Sequence, residues 1–480
     1  MTHTKSHTVE KIGGTSMSRS RELVDSLFVG DRCDSTLYDR IFVVSAYSGI
    51  TNLLLEDKKS GEPGVYGMFV NADDNDHGWM SALSRVGQAM QQAHADVLDH
   101  PADIQASDDF VRDRIEGARS CLIDLQRLCS YGHFRLGQHM NIIRELLSGL
   151  GEAHSAFVTV QLLNREGVAA RFVDLSGWRD EGVYTLEDRI VAGLRDVDLK
   201  TELPIVTGYA QCADGLMKEF DRGYSEVTFS KIAALTGAAE AIIHKEFHLS
   251  SADPKLVGAD AVVKLGHTNY DVADHLSNMG MEAIHPSAAK MLRQASIPLR
   301  VTNAFEPQDP GTLIDDQPAE TPRVEMVTGL EIHALELFEQ DMVGVKGYDS
   351  TILDILKRHN LRIVSKSTNA NTVTHYVDAP LKSVRRAEND LTQLYPGSRV
   401  SVRPMGIAAV IGRELEGLKV TLNGLLALDA EQIDVHGVLQ GSRSVDVQFV
   451  VRRNALDASI KALHEALVSP RKKGKPKLAA

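Results

Sequence analysis

The sequence predicts an α/β protein in which a mainly parallel sheet is covered by helices and is followed by two small units of β-α-β-β-α-β order. Three observations carry this reading. Short apolar runs, residues 41–46 and 203–209 foremost, alternate with helical periodicity through roughly the first 300 residues, the pattern of a doubly covered parallel sheet. Past an acidic, proline-containing run at 315–322 the order changes to strand, helix, two strands, helix, strand. A similar order then recurs to residue 468.

At 480 residues the chain exceeds one ordinary core, and about 150 residues per domain gives about three units. The net charge of −13 weighs against a nucleic-acid partner. Four cysteines, Cys33, Cys121, Cys129 and Cys212, stand without CxxC or histidine pairing, so neither a zinc site nor a disulfide framework is expected. No run approaches the ~20 apolar residues of a membrane span, and the first residues are polar. A cytoplasmic protein, away from membranes, is the expectation.

Val9-Glu10-Lys11-Ile12-Gly13-Gly14-Thr15-Ser16 opens the chain. An extended apolar start running into a lysine, two glycines and two hydroxyls suits a phosphate cradle; a tight turn leaving the first strand accounts for it equally well. Residues 19–28 are helical in pattern. The strand at 41–46 exits through Ser45-Ala46-Tyr47-Ser48-Gly49-Ile50-Thr51-Asn52, placing hydroxyls where open α/β sheets bind ligands. A plain turn capped by Thr51 or Asn52 is the alternative.

Residues 56–136 are polar and mostly helical, and their acidic run at 73–77 reads as a solvated loop and not a metal site. From 141 to 164 a helical pattern is interrupted at Ser148-Gly149-Leu150-Gly151-Glu152. A break there would let Glu152 face a pocket and hold a substrate ammonium; Glu152 as a first-turn acid on a restarted helix fits as well. Residues 171–175 and 203–209 are further strands. Ser225 and Glu226 sit near the amino end of the helix at 229–235, and Arg222 offers a fork for a carboxylate. A capped helix with a surface arginine competes. After the strand at 241–243, Lys255 and Lys264 either meet a polyphosphate or are surface lysines. His285, before a proline, reads as structural. The expected organisation is a first domain over 1–314, a linker at 315–325, ferredoxin-like units at 326–404 and 405–468, and a basic disordered tail at 469–480.

Taken together, these landmarks resemble the aspartokinase family. Lys11-Ile12-Gly13-Gly14-Thr15-Ser16 is similar to the family's Lys-Phe-Gly-Gly-Thr-Ser, residues 43–46 with Gly49-Ile50-Thr51-Asn52 to its Val-Val-Ser-Ala strand end, and Gly151-Glu152 to its Gly-Glu substrate motif. Ser251-Ala252-Asp253-Pro254, Ile284-His285-Pro286, Asn303 with Pro310-Gly311-Thr312, and Gln440-Gly441-Ser442 follow in family order. The resemblance implies an amino-acid-kinase fold carrying two ACT domains, and transfer of the γ-phosphoryl of MgATP to the side-chain carboxylate of L-aspartate. It implies catalytic roles for Lys11, Arg222 and Glu226. Ser45, Thr51, Glu152, Arg222 and Ser225 would hold aspartate. Lys11, Gly13, Gly14, Ser16, His244, Lys245, Lys255 and Lys264 would face the nucleotide. A homodimer through the ACT domains is the implied assembly.

That chemistry suits the residue types. An aspartate carboxylate is already ionised at pH 7, so positioning and cationic relief of phosphate repulsion suffice. No Gly-x-x-x-x-Gly-Lys-Ser/Thr occurs, which excludes the P-loop route. Two departures stand out. The family's Leu-Gly-Arg-Gly-Gly-Ser-Asp is here Phe220-Asp221-Arg222-Gly223-Tyr224-Ser225-Glu226, and its Thr-Asp-Val-Asp-Gly aligns with His244-Lys245-Glu246-Phe247-His248. With the opening segment they are similar to the specialised aspartokinase of ectoine biosynthesis. A catalytically weak amino-acid sensor and another amino-acid kinase are the competing readings.

Overall fold

A computed structural model describes residues 7–33, 36–58, 60–72, 77–220, 223–281, 284–317 and 321–468. Arg222, the acidic run at 73–76 and the basic tail lie outside the described residues. Among the described residues fourteen strands follow in order: β1 (Thr8–Ile12), β2 (Arg40–Val44), β3 (Ala170–Val173), β4 (Leu203–Thr207), β5 (Glu240–Lys245), β6 (His267–Asn269), β7 (Leu299–Asn303), β8 (Thr312–Asp315), β9 (Arg323–Phe338), β10 (Arg362–Thr368), β11 (Thr372–Asp378), β12 (Arg399–Arg413), β13 (Val435–Gln440) and β14 (Asp446–Arg452). The chain divides into two units, Met1–His248 with Ile284–Asp316, and Leu249–Ala283 with Gln317–Ala480.

In the first unit the strands run β3-β4-β2-β1-β5-β7-β8. All neighbours from β3 to β7 are parallel, and β8 closes antiparallel on β7. Every residue of β2 and β4 is buried, as expected of central strands covered on both faces. The helix Tyr224–Thr236 packs on β1, β2 and β5, and Met140–Arg165 on β2, β3 and β4. The parallel strands all present their carboxyl ends to one edge, where the loops that follow β1, β2, β4, β5 and β7 gather.

The interruption expected at 148–152 does not occur, because Met140–Arg165 is one continuous helix. Its glycines serve close packing. A Cβ on Gly149 would come within 2.9 Å of the Tyr209 ring, and one on Gly151 within 2.6 Å of the Ala46 Cβ, so both positions exclude a side chain.

The second unit departs from the expected boundaries. Residues 249–283, assigned by the sequence to the first domain, belong to it. Leu256 and Val257 pack on its core, Val327 N–H donates to Ser251 O at 2.8 Å, and Ser251 Oγ lies 2.8 Å from His464 Nε2. The boundary expected at 404/405 falls inside one strand: β9 and β12, of 16 and 15 residues, pair antiparallel along most of their length. They are shared by both ferredoxin-like units, which form one sheet of order β10-β11-β9-β12-β14-β13. One core gathers Leu335, Ile352, Leu356, Val377 and Leu391, the other Val327, Val410, Phe449, Ile460 and Leu463. The linker is correspondingly short, since Asp315 ends β8 and Arg323 begins β9.

Candidate functional site

Lys11 leaves β1 with its Nζ 3.4 Å from Glu226 Oε1. Glu226 lies in the first turn of the helix Tyr224–Thr236, and its other oxygen accepts the His285 N–H. Burial pushes the Glu226 carboxyl up, but the Lys11 and Lys245 ammonium groups and the His285 N–H outweigh it and hold it below its ordinary value. An ionised carboxylate thus fixes a lysine at the carboxyl edge of the sheet. Lys245, the last residue of β5, adds a second cation to the same neighbourhood.

Gly13 and Gly14 lead from β1 into a short helical turn, Gly14–Met17. A Cβ on Gly14 would stand 2.5 Å from the carbonyl oxygen of Ala46. Only glycine permits this approach between the first loop and the one after β2. Ser16 is fully buried and its hydroxyl donates to Glu246 Oε1 at 2.5 Å, so it ties the loop to the segment after β5. Ser45 donates its N–H to Ile12 O at 3.1 Å. Thr51 stands half-buried in the helix Ile50–Leu54. Ser18 Oγ accepts the Ser48 N–H at 3.0 Å and donates to Gly14 O at 3.2 Å, a further clasp between the two loops.

Glu152 is 2% exposed. Tyr224 OH donates to its Oε1, and Oε2 has no hydrogen-bond partner among the described residues. Burial pushes the carboxyl up to about 7, against the opposing pull of the Tyr224 hydroxyl, backbone N–H groups and Lys11. Tyr224 is held in turn at 5.6 Å, edge to face, by Tyr209, whose hydroxyl donates to Glu145 Oε2 at 2.7 Å. Ser225 is buried against Gly208, where a Cβ would come within 2.8 Å of the serine oxygen.

Lys11, Gly13, Gly14, Ser16, Ser45, Glu152, Ser225, Glu226 and Lys245 all belong to the first unit. His244 does not face an open site. It is buried, with Nε2 2.7 Å from Glu10 Oε2 and Nδ1 2.9 Å from Thr302 Oγ1, and Arg40 completes the cluster by pairing with Glu10 at 2.8 Å. A charge inside a sheet needs such neutralisation, and the ring is committed to it. Lys255 and Lys264 belong to the second unit, Lys255 exposed on the helix Pro254–Val257 and Lys264 bridged to Ser250. Sequence reasoning missed Tyr224, Glu246 and the His285 N–H. Tyr224 alone left a signal, a tyrosine where a second glycine was expected. An open cavity of about 560 Å³ beside the 47–52 loop is edged by Asp57 and Asp96 and has no lysine or arginine in its lining, so the phosphate-compatible charge is on the Lys11–Lys245 side.

The family model of the amino acid kinase family matches residues 7–303. The aspartate kinase Ask_Ect of Stutzerimonas stutzeri (strain A1501) is 49% identical over 470 residues, covering 98% of both chains. The aspartokinase of Saccharomyces cerevisiae is 24% identical over 383 residues, 70% of this chain and 71% of that protein. Among solved structures, E. coli aspartokinase III in complex with aspartate and ADP superposes with a TM-score of 0.70 at 19% identity, covering 96% of this chain and all of that one. That likeness shows a common fold.

Proposed function

The chain belongs to the amino acid kinase family, and within it to the aspartate kinases; from that premise we propose that it transfers the γ-phosphoryl group of MgATP to the side-chain carboxylate of L-aspartate, forming 4-phospho-L-aspartate. The observation that carries the reading is Glu152: a buried carboxyl with one oxygen fixed by Tyr224 and the other unpartnered. Such a group is costly to ionise until a cation arrives, and an amino acid's ammonium supplies that cation. The substrate is thereby held by its amino group, with its side chain left to react.

The nucleophile is ionised at working pH and requires no base. Lys11, steadied by Glu226, offsets charge on the transferred group, and Lys245 adds to the field. The loops at Gly13–Gly14 and Ser45–Thr51 bring backbone N–H groups close to the phosphates. Magnesium arrives with the nucleotide as part of the substrate. The identity to Ask_Ect supports the specialised ectoine-type assignment. The edge strands β10 and β13 of the six-stranded sheet support pairing between copies, so the working assembly is a homodimer; a monomer by light scattering refutes it.

Coupled measurement of ADP release tests the activity. L-Aspartate stimulates turnover, whereas L-glutamate and N-acetyl-L-glutamate do not. Equal turnover with glutamate supports another amino-acid kinase instead, and aspartate binding without ADP release supports a sensor.

A further inference from the structure

We infer that the carboxyl edge of the first unit carries a resident divalent-cation site built from His248, Glu306 and Asp309, separate from the magnesium that accompanies the nucleotide. His248 follows β5 by three residues, and Glu306 and Asp309 lie in the loop after β7, the strand beside it. One donor atom from each of the three lies within 4.8 Å of the others. His248 Nε2 is 2.9 Å from Glu306 Oε2 and 3.7 Å from Asp309 Oδ2. Two ligands each about 2.1 Å from a common ion stand about 3.0 Å apart at a right angle and about 3.4 Å apart in a tetrahedron. The observed separations bracket those values.

The two carboxylates are also oriented from outside the cluster, while His248 Nδ1 is buried with no hydrogen-bond partner among the described residues. Glu306 turns Oε1 to the Asn303 side-chain amide at 2.9 Å and Asp309 turns Oδ1 to the Gly311 N–H at 2.9 Å, leaving the second oxygen of each directed at the histidine. That is the outer support expected of ligating carboxylates. The loop itself is anchored, since Ala304 N–H donates to Lys245 O at 2.8 Å and the Arg19 guanidinium lies 3.5 Å over the Phe305 ring. The His248 side chain is 8% exposed while that of Glu306 is 54% exposed, so the histidine is fixed and the solvent side admits an ion with its waters. One imidazole and two carboxylates favour a first-row divalent ion such as Mn²⁺ or Zn²⁺ over Ca²⁺. Two residues before His248, Glu246 holds the Ser16 hydroxyl, so the ion would clamp the segment that steadies the phosphate loop.

The test uses chelator-stripped full-length protein in nucleotide-free buffer, titrated with MnCl₂ and followed by loss of the free Mn²⁺ EPR signal. One ion per chain binds, it raises Tm, and pulsed EPR of the bound Mn²⁺ shows imidazole ¹⁴N coupling. His248→Ala and Asp309→Asn each weaken binding about 10–100-fold and lose the metal-induced rise in Tm. Failure of Mn²⁺ and Zn²⁺ to bind at millimolar concentration overturns the assignment. So does bound Mn²⁺ without nitrogen coupling, or affinity unchanged in a folded variant.

Discussion

Replacing Glu152 with glutamine should stabilise the ligand-free protein at pH 8 while removing its grip on aspartate. The carboxyl titrates near 7 in the fold against an ordinary 4.5, and that gap corresponds to about 3 kcal/mol at 1.36 kcal/mol per pH unit. Between pH 4.5 and 7 the folded chain holds a proton that the unfolded chain has released, so stability falls as pH rises through this window and levels off above 7. Glutamine has no such dependence. Denaturant unfolding of the first unit, followed in wild type and Glu152→Gln from pH 4.5 to 8.5, should show the difference growing to about 3 kcal/mol in favour of the variant. Saturating aspartate should narrow it by stabilising only the wild type. A difference that does not vary with pH refutes the reasoning, because the carboxyl would then be ionised at no cost and would need no cation.

The same carboxyl sets a pH dependence on binding: at pH 6 only about one-tenth of it is ionised, so KM for aspartate should rise about tenfold relative to pH 8, and initial rates check this. Tyr224→Phe removes the hydroxyl on Oε1 and should move that profile to higher pH with KM for aspartate recovering above pH 8.5, a shift that loss of packing alone would not produce. Lys11→Ala should lower kcat by about 10²–10³, or about 3–4 kcal/mol, with KM for aspartate within about threefold in steady-state assays. Gly14→Ala sets a Cβ against the Ala46 carbonyl oxygen and should cost about 1–3 kcal/mol, read as a fall in Tm together with weakened ATP binding.

Much of the architecture was legible because burial writes itself into local composition. The uninterrupted apolar runs of β2 and β4 announce central parallel strands, and Lys11 with its glycines is visible as a cation beside a bare backbone. Pairings distant in sequence were not legible. The first three residues of β9, 323–325, fall within the expected linker because they follow the acidic, proline-containing run at 315–322, yet Glu325 is 2% exposed and meets Arg413, Arg323 and the Thr268 hydroxyl. The glycines at 149 and 151 look like helix breakers, and only Tyr209 and Ala46 packed against them show why the helix continues. His244 looks like part of a ligand segment because its partners Glu10 and Thr302, and Arg40 that pairs with Glu10, come from three other strands. The return of 249–283 to the second unit depends in the same way on contacts with β9 and the helix Leu456–Leu467.

The most direct test of phosphoryl transfer to aspartate is to trap the product. Wild-type protein with L-aspartate, MgATP and hydroxylamine should yield the side-chain hydroxamate of aspartate, identified by mass, in step with ADP release. Stoichiometric ADP release without hydroxamate, or none of either from folded protein that binds aspartate, would contradict the account.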